Sequence, residues 1–303
     1  MTRNPISTGS EWTFELIREY DQEIGRIAHE VYGLDTYPNQ IEVITAEQML
    51  DAYSSVGMPL FYKHWSFGKH FAHQETFYRK GLMGLAYEIV INSSPCISYL
   101  MEENTATMQT LVIAHAAFGH NHFFKNNYLF KQWTDADGIL DYLDFAKSYA
   151  AQCEERYGHV AVERTLDAAH ALMSHGVYRY PNKKKLDLRA EEKRAKERRS
   201  HEESVFNDLW RTVPTGPLKS ASELSVERRA ALLGLPQENI LYFLEKSAPR
   251  LQPWQRELLR IVRHIAQYFY PQGQTKVMNE GTATYVHYRI MNSLHAQGRI
   301  SDG

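Results

Sequence analysis

The sequence predicts an α+β fold, predominantly helical with a small antiparallel sheet, and three observations carry that prediction. Most of the 303 residues fall in segments whose apolar side chains recur at helical spacing. Two short runs rich in β-branched and aromatic residues, 85–92 and 96–100, are joined by the turn Asn92-Ser93-Ser94-Pro95, which reads as a hairpin. A composition of 43% hydrophobic and 12% aromatic residues is too apolar for a disordered chain and sufficient for a sizeable core.

In chain order, Trp12, Leu16, Ile17, Ile24, Ile27, Ala28 and Val31 lie on one helical stripe that Gly33 and Pro38 close. Thr45 is placed to cap a short helix opened by Ala46-Glu47-Gln48. From Val56 to Tyr78, aromatic residues crowd around His64, His70 and His73 while Gly57, Pro59 and Gly68 interrupt any period. That stretch reads as a loop rather than a clean helix. After the hairpin, Thr105 opens a helix through Leu111, Val112, Ala114 and Ala117, and periodicity predicts further helices over 135–157, 162–173, 227–233, 241–248 and 254–270.

Between Lys183 and Arg199 stand nine basic and four acidic residues, without apolar periodicity. The chain is accordingly divided into an N-terminal part, 1–182, a charged linker or exposed helix, 183–213, and a C-terminal part, 214–303, packing on the first. Lys193, Arg194 and Lys196 mark the basic segment as a docking surface for an acidic partner. No aromatic interleaves it, so nucleic acid is not the expected partner. Charges over the whole chain nearly cancel, 34 Lys and Arg against 36 Asp and Glu. Two unpaired cysteines, no apolar signal segment and no membrane-length apolar run predict a cytoplasmic protein without a membrane partner. Nucleotide-binding glycine loops and the G-x-S-x-G element are absent from the sequence.

Two stretches could carry chemistry. His115-Ala116-Ala117-Phe118-Gly119-His120-Asn121-His122 puts three imidazoles near a helix end. A regular helix turns His115 and His120 about 140° apart, whereas one π-turn at Gly119 would bring both to one side, since five residues is the spacing of that turn. Met278-Asn279-Glu280-Gly281-Thr282-Ala283-Thr284 is helical and small, with Glu280 and His287 on one face. His115, His120 and Glu280, with His122 in reserve, form a three-ligand set for a divalent metal, zinc being the ion expected. Strand pair, His-bearing helix and Glu-bearing helix follow each other in the order of a zincin-like layout. Yet Ala116 stands where H-E-x-x-H has its glutamate, so the base must come from Glu88 or Glu280. His64, His70, Tyr87 and His287 are expected to wall a substrate pocket. Asp167 and His170 resemble half of a dimetal site without a second copy, and surface salt-bridging accounts for them better.

The blocks 35–45, His64-Trp65-Ser66-Phe67-Gly68-Lys69-His70-Phe71, Tyr87-Glu88-Ile89-Val90-Ile91-Asn92, 114–124 and Asn279-Glu280-Gly281 together resemble the stage V sporulation protein R (SpoVR) family from Trp12 onward. Thr282 departs from the aromatic that usually follows Asn-Glu-Gly in that family, and its members usually continue well past the present Gly303. The resemblance implies a role in spore cortex or coat formation, or in bacterial stress responses, with other sporulation or stress proteins as partners. It does not name a reaction. The residues point to a metal-dependent hydrolase-like activity, with cell-wall precursors or peptides as substrates. The competing expectation is a non-catalytic scaffold or regulatory protein docking through its basic segment.

Overall fold

A computed structural model describes residues 5–7, 9–55, 62–80, 82, 87–180, 192–193, 196–197 and 238–301. Helix α1 (Phe14–Arg26) starts where Thr13 Oγ1 accepts from the Leu16 N–H, and it buries Ile17, Tyr20 and Ile24. A π-turn, Ile27–Val31, extends it, and Gly33, at φ +61°, reverses the chain in a conformation that favours glycine.

Three strands follow: β1 (Asn39–Ile44), β2 (Glu88–Ile91) and β3 (Cys96–Met101). β2 and β3 form the expected antiparallel hairpin, with Glu88 opposite Leu100 and Ile91 opposite Ile97. β1 lies on the other side of β3 and runs parallel to it, from Asn39 opposite Cys96 to Ile44 opposite Met101. The sheet is therefore mixed, not purely antiparallel. β1 comes before the hairpin with helices between, and such a crossover permits parallel pairing where a tight turn would not. As the central strand, β3 is buried from Cys96 to Leu100.

Helix α2 (Ala46–Ser54) opens with a complete capping box between Thr45 and Gln48. The stretch read as an irregular aromatic loop instead contains a helix, α3 (Trp65–Arg79). Its start is fixed by the His64 side chain, which accepts from the Ser66 N–H, and Gly68 is tolerated in open surroundings. Helices α4 (Ala106–Ile113), α5 (Asn121–Asn126) and α6 (Tyr128–Trp133) succeed the sheet, with a π-helical segment, Ala114–His120, inserted between α4 and α5. Then come α7 (Ile139–Tyr157), α8 (His159–Ala171), α9 (Ile240–Ser247) and α10 (Pro253–Ala296).

At 44 residues α10 is about 66 Å long and contributes to three apolar clusters. Ile290 and Leu294 join Ile24, Ile27 and Phe118; Leu258, Val262 and Ile265 join Leu166 and Leu241; Tyr268 joins Met49, Ile91 and Leu143 under the sheet. Among the described residues no helix is long and apolar enough to cross a membrane. Lys193 and Lys196 are exposed, with Lys193 Nζ 3.9 Å from Glu197. Arg194, most of 183–213 and the helix expected at 227–233 lie outside the described residues.

Candidate metal centre

The π-helical segment sets the geometry of the site. All seven residues from Ala114 to His120 are buried, and the wider turn places His115 and His120 on one side, their ring centroids 4.7 Å apart and nearly perpendicular. Gly119 lets this segment lie directly against α10: a Cβ there would fall 2.7 Å from Ala283 Cα. That close approach brings Asn279, Glu280 and His287 of α10 to the imidazoles. From the sheet side, β2 delivers Glu88 as its first residue.

Glu88, His115 and His120 each offer a ligand atom, and these atoms lie within 4.8 Å of one another. His115 Nε2 is 3.5 Å from Glu88 Oε1 and 3.6 Å from Glu280 Oε2, and His120 Nε2 is 3.8 Å from the same Glu280 oxygen. These separations are long for hydrogen bonds. They match ligand atoms arranged about one ion, since tetrahedral donors about 2.1 Å from a zinc lie about 3.4 Å from each other. The far ring nitrogens are already engaged. Asn279 Oδ1 accepts from the His120 Nδ1–H at 2.9 Å, leaving the Nε2 lone pair to face the carboxylates. His115 Nδ1 shares a hydrogen with His287 Nδ1 at 2.8 Å. Outer hydrogen bonds of this kind fix the tautomer and orientation of metal-binding histidines.

Electrostatics tell the same story. Burial, then the neighbouring Glu280, push the Glu88 carboxyl up to about 7. Burial, followed by the other two imidazoles, takes His115 down to about 3, and burial also lowers His120 and His287. Acidic oxygens and neutral imidazoles thus converge, and a divalent ion is a group that this donor set could hold.

A cavity of about 740 Å³ opens beside this cluster, lined by Glu88, His120, Asn279 and Glu280 together with His70, Gln74, Phe124, Tyr268 and Lys276. The expected pocket wall is redistributed. His70 lines the cavity, His287 backs His115, and the Tyr87 side chain is exposed and outside the lining. His122, the reserve ligand, is turned to the chain at Asp35, where its Nδ1 contacts the backbone O at 3.0 Å and N at 3.1 Å.

His64 belongs to a separate cluster. Its Nε2–H donates to Asp167 Oδ1 at 3.0 Å, its Nδ1 accepts from the Ser66 hydroxyl at 2.6 Å, and its ring stacks on His170 at 4.5 Å. His170 in turn bonds the buried Tyr62 hydroxyl, and burial holds its pKa down at about 4. Asp167 is thus paired with His64 from a partly exposed position, in line with the salt-bridging expected, whereas His170 is engaged with Tyr62 and His64; together they fasten α8 to the start of α3. Asn279 and Lys276 escaped the sequence reading as site residues. Asn279 stands beside Glu280, and Lys276 one helical turn before it, so position relative to that carboxylate was the available signal.

A family model described as "SpoVR like protein" matches residues 11–303. Among curated proteins, "Uncharacterized protein YcgB" of Escherichia coli (strain K12) is 58% identical over 297 residues, covering 98% of this chain and 57% of that protein. The chain thus spans little more than half the length of this relative. No solved structure matches.

Proposed function

The chain belongs to the SpoVR-like family, and from that premise we propose that it is a metal-dependent hydrolase whose ion is held by Glu88, His115 and His120, with Glu280 beside it on the solvent side. Zinc is our assignment for the ion, because two imidazoles and a carboxylate with a position left over form a catalytic zinc set. The observation that carries the reading is the convergence of the Glu88 and Glu280 oxygens on two Nε2 atoms whose rings are fixed from behind. When bound, the ion would acidify water and polarise a carbonyl.

The chain's own residues would do the rest. Asn279 and His287 hold the imidazoles so that their Nε2 atoms point at the ion. Glu280, with 54% of its side chain exposed against 21% for Glu88, faces the open cavity and takes the proton from the attacking water. The sequence placed Glu280 among the ligands and left the base to Glu88 or Glu280; we assign the ligand role to Glu88, the more buried of the two, and the base to Glu280. Ala116, buried in the π-segment, supplies no base, which leaves the task to α10. The family's association with spore envelopes and stress responses would place this activity in cell-wall physiology.

Metal analysis tests the reading. Protein purified without chelator is expected to carry near-stoichiometric zinc, and both Glu88→Ala and His115→Ala to lose it while remaining folded by circular dichroism. Wild-type protein that takes up no divalent transition metal, even on reconstitution, would overturn the proposal.

A further inference from the structure

Lys276 lines the same cavity as Glu280 and precedes it by four residues on α10. A lysine and a glutamate so spaced on a helix ordinarily lean together as an ion pair. Here Glu280 turns instead toward His115 and His120, and among the described residues Lys276 has no ion-pair partner. Among the described residues the lining contains no other lysine, arginine or acidic side chain beyond Glu88 and Glu280. A divalent ion would balance those two carboxylates, which leaves the ammonium of Lys276 as the unpaired charge among the described lining residues. On α3, Gln74 lines the same cavity with an amide whose Oε1 is buried and without a hydrogen-bond partner, an acceptor that lacks an N–H.

We propose that Lys276 is the anion subsite of this pocket and that the substrate carries a free carboxylate next to the bond attacked, as an N-acyl amino acid or a peptide C-terminus does. The inference rests on the metal reading above and names its substrate class. Four residues of helix separate Lys276 from Glu280 by about 6 Å along the axis, a gap that the lysine stem and a single amino-acid residue span. With its carboxylate on Lys276, such a substrate directs its preceding carbonyl toward Glu88, His115 and His120, and its amide N–H toward Gln74. A lone lysine matches a singly charged carboxylate, whereas a phosphate dianion would leave one charge unmet.

The test uses the full chain and three probes: N-acetylglycine, N-acetylglycinamide and inorganic phosphate. Binding is followed by ligand-detected NMR, and metal content is measured on the same samples. The expected result is preference for the acid over the amide and over phosphate, a loss of about tenfold in acid affinity in Lys276→Met, and retention in Lys276→Arg, with metal content equal in all three proteins. Equal binding of acid and amide, tighter binding of phosphate, or undiminished acid binding by Lys276→Met would overturn the carboxylate subsite while leaving the metal reading intact. Absence of metal with Lys276-dependent binding of the acid would do the reverse.

Discussion

Glu88 takes its carboxyl to a mostly buried position beside a second carboxylate, and the cost appears as a pKa raised to about 7 from an ordinary 4.5. In protein stripped of metal, the folded state then holds a proton between those values that the unfolded chain has released. Stability from this group is therefore present below pH 4.5 and lost as pH rises through 7. His115 acts in the opposite sense: its folded value of about 3 lies below 6.5, so its contribution is gained as pH rises from 3 to 6.5. Comparing Glu88→Gln with wild type isolates the first effect. After chelation, urea unfolding is expected to show the variant gaining on wild type as pH rises from 4.5 to 7, by at most about 3 kcal/mol. A stability difference that stays flat over that interval would show that the carboxyl is not held protonated by its surroundings. Metal should reverse the order at pH 7, because the wild-type carboxylate then gains a cation and the amide does not.

At the scale of elements, the π-helical segment and its seat on α10 make the site. Gly119→Ala puts a methyl group 2.7 Å from Ala283 Cα and 3.0 Å from its Cβ, so one element must move away from the other. Loss of about 1–3 kcal/mol is expected in denaturant unfolding, together with weaker binding of any added divalent metal, since His120 and Glu280 would separate. Unchanged stability and metal content would mean that this approach does not position the ligands. The element was legible in the sequence because His115 and His120 cannot share a face of a regular helix, and Gly119 between them offered the place to widen it. The hairpin was legible from its β-branched runs and turn, and α2 from Thr45 and Gln48. β1 was not, since six residues ending at a helix cap show no decisive alternation and their partner strand lies more than fifty residues later. Nor was α3, because its aromatic residues are not a buried stripe: no residue of that helix is buried, and its start depends on a histidine side chain acting as cap. Local spacing found the imidazoles and Glu280; the grouping of Glu88 with both histidines depended on β2 meeting the π-segment, a tertiary fact without a sequence period.

On the scale of the whole molecule, α10 ties the parts together. Ile261 is buried among α8 and α9 residues, while Ile290 is buried beside α1 and the π-segment. The two positions lie about 44 Å apart along the helix, with Pro271 and the sheet cluster between them. Pro271 lacks the N–H that would bond one turn back, and it is nevertheless buried within the helix, where packing on both sides offsets the lost bond. If that packing makes the described parts one cooperative unit, damage at either end must lower the same transition. Ile261→Ala and Ile290→Ala are each expected to cost about 2–5 kcal/mol, and because no partner is shared between the two sites their effects should add. Unfolding followed by tryptophan fluorescence and by far-ultraviolet circular dichroism should stay coincident in both variants. Two separated transitions, with Ile290→Ala moving only one and leaving the α8 and α9 cluster at its wild-type midpoint, would show that the ends fold independently and that α10 is a strut between them. In a cooperative molecule the consequence reaches the candidate metal centre as well: Ile261→Ala, far from Glu88, His115 and His120, would release an added divalent metal at a lower denaturant concentration in step with global unfolding, because the site residues come from β2, the π-segment and α10 and meet only while all three remain packed.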